Sequence, residues 1–80
     1  MNIPQVNFKT SDLYYAAFLK TAGFDLADIL KEKNRKVFVF KADKNMLMKV
    51  QKEFVNGEAK VIAKDLIDNL RNLKILTNMD

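Results

Sequence analysis

Residues 11 to 23 read SDLYYAAFLKTAG, and coiled into a helix this stretch is apolar on almost every side. At roughly 100° per residue from Leu13, the positions Ala17, Tyr14, Phe18, Tyr15, Leu19 and Ala16 fall near 40°, 100°, 140°, 200°, 240° and 300°. Only Asp12, Lys20 and Thr21 interrupt the circle. A surface helix keeps one apolar stripe, so this one needs cover from two directions, supplied by its own chain or by its chain and a partner. Ser11 or Thr10 offers a hydroxyl to the free amides of the first turn, Asp12 adds a carboxylate at the positive end, and Gly23 is the stop.

Upstream, Val6 and Phe8 alternate with Asn7 and Lys9, which predicts a short strand with Pro4 just ahead of it. Downstream, Leu26 to Glu32 and Lys36 to Lys41 flank a polar turn at Lys33, Asn34 and Arg35, the pattern of a hairpin. Val37, Phe38, Val39 and Phe40 make both faces of its second strand apolar, so each face needs cover or one stays partly open. Asp43 is the expected N-cap of a helix over 44–56 that ends at Asn56 and Gly57. Met46, Leu47, Val50 and Phe54 form its expected core stripe, and Met48 and Val55 widen the apolar arc to about 200°. After a connector over 58–61, residues 63–76 predict a third helix. Ile62, Leu66, Leu70 and Leu73 stack on one side of it, flanked by Ala63, Ile67 and Leu76. Ile75 points away, so the helix frays before it or it touches something else. The start carries no Ser, Thr, Asp or Asn cap.

These elements make an α+β domain in the order β-α-β-β-α-α, a small antiparallel sheet with helices mainly on one face. The whole chain of 80 residues is one domain, with 1–4 and 77–80 as candidate flexible ends. A domain of this size removes only about 60–65% of its unfolded surface from water, which makes a second surface to bury plausible.

The chain also resembles a small family of bacterial and phage-borne proteins described as a domain of unknown function. The resemblance rests on FKTSDLYYAAFLKTAGF at 8–24, KVFVFK at 36–41, and FVNGEAKV followed by LIDNLRNLK between 54 and 74. It implies a compact α+β unit with the hairpin formed as strands and a phage or mobile-element setting, and it brings no catalytic residues. The chain departs from the family where the last helix is entered through Ile62 rather than a polar cap.

With neither cysteine nor histidine, disulfides and the usual zinc, iron and copper ligand sets are out of reach, so no cofactor or metal is expected. The opening MNIPQVNFKT lacks a secretory pattern, and the longest apolar run, Leu13 to Leu19, is far short of the roughly 18–20 residues of a membrane span. The expectation is a cytoplasmic protein with no membrane association. Asp65 with Asp68, and Asp25 with Asp28, read as solvated pairs, since nothing in the pattern desolvates them. Ser11 has no histidine to activate it, and with only two glycines there is no phosphate cradle. An enzyme is therefore the weakest reading.

Two surfaces remain. Tyr14, Tyr15, Met48, Val55 and Ile75 are surplus apolar surface, suited to a protein partner or to self-association. Lys31, Lys33, Arg35 and Lys36 gather at the hairpin tip, where they could ride along phosphates as a wing does. Glu32 dilutes them, and a net charge of +4 from 14 Lys and Arg against 10 Asp and Glu is compatible with weak nucleic-acid binding without demanding it.

Overall fold

In a computed structural model, which describes residues 5–78, the expected order holds: β1 (Gln5–Thr10), α1 (Leu13–Thr21), β2 (Asp25–Glu32), β3 (Arg35–Asp43), α2 (Lys44–Val55) and α3 (Ala63–Thr77). The expectations for Pro4 and for the ends at 1–4 and 79–80 lie outside the described residues. At the C-terminal side, Thr77 is still helical and Asn78 caps α3.

The strands form one antiparallel sheet in the order β1-β3-β2. Since β1 and β2 are both antiparallel to β3, they are parallel to each other, and α1 carries the chain across the gap that β3 then fills. On one face β3 presents Phe38 and Phe40, with Thr10 and Phe8 beside them on β1 and Ile29 and Leu26 on β2. Leu26 and Ile29 share that face although three residues apart, because Ala27 is an extra residue in a bulge between Leu26 and Asp28.

All three helices contribute to the core on this face. Ala16, Ala17, Phe18 and Leu19 of α1, Leu47 of α2 and Leu73 of α3 are buried with Phe38, Phe40 and Ala42. Leu19, Ala16 and Ala17 have no exposed surface. Tyr15 reaches Phe8 of β1 and Phe54 of α2, with ring centroids 5.9 and 4.8 Å away. Across α1, Asn69 of α3 donates from Nδ2 to Thr21 Oγ1 at 2.9 Å. The helix is thus walled by the sheet, α2 and α3, which answers the need for cover with the protein's own chain. Val37 and Val39, on the other face, are also buried; Leu30 lies opposite Val37, and Lys9 and Asp28 lie opposite Val39.

The helix ends follow local chemistry. Asp12, not Ser11, is the N-cap of α1: its Oδ1 accepts from the backbone N–H groups of Tyr14 and Tyr15 at 2.9 and 3.2 Å. Thr10 Oγ1 in turn accepts from the Asp12 N–H at 3.1 Å, so the hydroxyl positions the cap. Asp43 repeats the pattern on α2, straight off the end of β3. At the other end of α1, Gly23 at φ 103° lets its own N–H reach Lys20 O and the Phe24 N–H reach Leu19 O. Gly57 at φ 72° closes α2 in the same way. In contrast Ile62 opens α3 with no side-chain cap. The hairpin turn places Lys33 at φ 57°, a left-handed conformation that costs a non-glycine residue about 1–2 kcal/mol.

Several expectations need correction. Phe54, expected in the α2 core stripe, packs on Tyr15 and Phe18 yet stays 43% exposed, and Ile62, expected to stack with Leu66, Leu70 and Leu73, is 68% exposed because it stands at the N-cap, before the first turn of α3. Met46 is exposed rather than part of the α2 core stripe, because Leu47 and Val50 carry that contact and Met46 sits on its margin. The third helix does not fray early: it continues through Ile75 to Thr77, leaving Ile75 55% exposed.

Candidate functional site

Once α1 is enclosed, part of the apolar surface that remains lies where the second and third helices fail to meet over it. A groove of about 370 Å³ opens there. Its floor is Ala17 and Phe18 of α1. One wall is Phe54 and Gly57 at the end of α2 with Ala59 and Val61 of the connector, the other is Leu66 and Leu70 of α3, and Tyr14 stands at the rim. The gap has a sequence cause. Ala17, Gly57 and Ala59 put small residues where three elements converge, so the large side chains around them cannot close over the top.

Tyr14 is 65% exposed and Phe54 is 43% exposed, although Phe54 also packs on Phe18 at a ring-centroid distance of 4.9 Å. Through Leu70 the surface continues onto a shallower hollow formed with Ile67, Arg71 and Lys74. The groove is lined by apolar side chains, with the Tyr14 hydroxyl as the one titratable group among the residues that line it.

The expected partner residues separate into three places. Tyr14 belongs to the groove. Tyr15 takes a core role instead, half-buried among Phe8, Phe18 and Phe54; burial pushes its hydroxyl pKa above the usual value and a hydrogen bond with Gln51 partly offsets that. Met48 and Val55 line a second hollow of about 320 Å³ on α2 with Gln51, Lys52 and Asn56, and Val55 is 82% exposed. Ile75 is exposed on α3 and lines neither hollow.

The basic tip is assembled as expected at the end of the hairpin, with Lys31 opposite Lys36, but Glu32 lies directly opposite Arg35. Lower on the same sheet Asp25 lies opposite Lys41, so charges of both signs alternate along it.

The carboxylate pairs keep their solvated reading. Lys64 Nζ donates to Asp68 Oδ2 at 2.8 Å on the exposed side of α3, and the ammonium holds the Asp68 carboxyl below its usual range while the carboxylate raises Lys64. Asp28 Oδ1 accepts from the Ile29 N–H at 2.8 Å. Among the described residues no polar or charged side chain is buried, and no group of acidic side chains converges as metal ligands would. No helix among them is long and apolar enough to cross a membrane.

Residues 5–78 match the family model of a domain of unknown function, DUF5659. The chain belongs to this family. The match runs from the first residue of β1 to the cap of α3, so this DUF5659 domain is the whole fold described above. Searches of curated proteins and of solved structures found no match.

Proposed function

We propose that this DUF5659 domain is a non-catalytic interaction module that receives an apolar segment of a protein partner in the groove between α1, the end of α2 and α3. One observation carries the reading: the groove stays open in a chain that otherwise walls its central helix with the sheet, α2 and α3. An open apolar hollow of this size costs the free domain stability, since Tyr14 and Phe54 are left facing water, and a partner side chain would recover that. Phe54 and Tyr14 at the rim are the kind of large, stiff side chains that anchor protein contacts. A cytoplasmic, phage-borne setting is part of the same proposal; the first rests on the lack of cysteine and of a secretory pattern at the start of the sequence, the second on the sequence resemblance. The balanced charge along the hairpin gives the nucleic-acid reading less support.

The test is a photo-crosslinking amino acid placed at Tyr14 in cells that express the native protein, with Asn72, exposed and away from the groove, as the control position. We expect one defined crosslinked product from position 14 that is absent from position 72 and lost when Leu70→Asp is added to a chain that still folds by circular dichroism. No product at position 14, or the same product at both positions, overturns the proposal.

A further inference from the structure

The two edges of the sheet are treated differently. An edge strand offers unpaired backbone N–H and C=O groups, and a monomer normally blunts it with bulges, charges or covering segments. β2 is blunted: it bulges at Ala27, it spends the Ile29 N–H on Asp28's own carboxylate, and it carries Asp25, Asp28, Lys31 and Glu32. β1 shows no bulge and keeps regular register with β3 over its six residues, with Lys9 as its one charge. Its inward residues Val6 and Phe8 are only partly covered.

The helix above this edge is also unfinished. Tyr15 packs on Phe8 of β1 and on Phe54 of α2, which sets α2 on the β1 side of α1, and Gln51 shares a hollow on α2 with Met48 and Val55. Met48 and Val55 lie three residues before and four residues after Gln51, on that same side, and both are exposed.

From this pairing of a clean edge with an apolar helix flank, we propose that β1 is the two-fold seam of a homodimer: two three-stranded sheets join edge to edge into one of six strands, and the Met48 and Val55 flank of α2 packs on its copy. The occupant is a second copy because β1 is complementary to itself. Paired antiparallel about Asn7, it sets Val6 against the partner copy's Phe8 on the helix-covered face. Gln5 meets Lys9 and Asn7 meets Asn7 on the other face, so no like charges are opposed along the seam. A strand of this length spans about 20 Å, and with the α2 flank the two copies would bury on the order of 1,000 Å², the lower bound for a stable contact. Neither Met48 nor Val55 lines the groove at Tyr14, so the dimer stands or falls apart from the docking reading.

Sedimentation equilibrium of the full chain tests it. We expect a reversible dimer over about 1–100 µM, as suits an interface of this size, and one that tightens with added salt because Lys44, Lys49 and Lys52 border the α2 flank. Asn7→Asp is the decisive variant. In the monomer the new carboxylate lies opposite Lys41 of β3 and leaves the fold intact, whereas in the dimer it faces its own copy; the dissociation constant should rise about tenfold or more. Mixing Asn7→Asp with Asn7→Lys should restore dimers, as mixed pairs. A wild type that stays monomeric throughout, a dimer that salt weakens, or a dimer indifferent to Asn7→Asp would overturn the proposal; the first would leave the edge to an extended segment of another protein.

Discussion

Leu19→Ala is expected to cost about 3 kcal/mol or more, the loss seen when a fully enclosed leucine leaves a cavity that its neighbours cannot fill. Leu19 has no exposed surface and sits between α1 and the sheet, among Phe38 and Phe40. A domain of 80 residues has a total stability of roughly 4–12 kcal/mol, so the variant should be close to unfolding at 37 °C. Its thermal midpoint, followed by circular dichroism, should fall by about 12–24 °C. Tyr14→Ala in the same helix removes a larger side chain, yet it should cost under about 1 kcal/mol because that ring is mostly in water. Equal losses for the two would mean that the enclosure of α1 contributes little.

The second large effect lies on α3. Leu73→Ala should cost about 2–5 kcal/mol, while Ile75→Ala, two residues on, should change stability by no more than about 0.5 kcal/mol. Leu73 is fully buried in the cluster that joins α3 to α1 and the sheet, and Ile75 is on the outer side of the same turn. Both changes favour helix formation, because alanine is the better helix former, so the contrast isolates burial from local propensity. Urea unfolding of the two variants beside the wild type measures it directly, and a similar loss in both would place α3 in a different rotation.

Element order and class were legible because most boundaries carried a local chemical sign, the start of α3 at Ile62 being the exception. Gly23 and Gly57 take the left-handed conformation that ends a helix, Asp43 caps the next one, and Val6 with Phe8 alternates as a half-covered strand does. The cap of α1 was displaced by one residue since Thr10, Ser11 and Asp12 are all competent, and only the turn of the chain out of β1 decides that Asp12 faces the free amides. The bulge at Ala27 had no sign of its own: Leu26 and Ile29 at a spacing of three look helical until β3 supplies the register. The groove was hidden for a different reason. Phe18, Phe54, Leu66 and Leu70 are core residue types at core spacing, and what leaves them open is three small residues on three separate elements, a coincidence in space that no single stretch records. Met48 and Val55 were legible as surplus because both lie off the core stripe of one helix.

The enclosure of α1 by its own chain underlies every other conclusion, and native-state hydrogen exchange of the Ala16, Ala17, Phe18 and Leu19 amides tests it most directly. We expect these amides to exchange only when the whole domain unfolds, with opening free energies that match the value from urea unfolding. Opening of α1 several kcal/mol below that value would show a helix held from one side only, and both the groove reading and the mutational contrasts would fail with it.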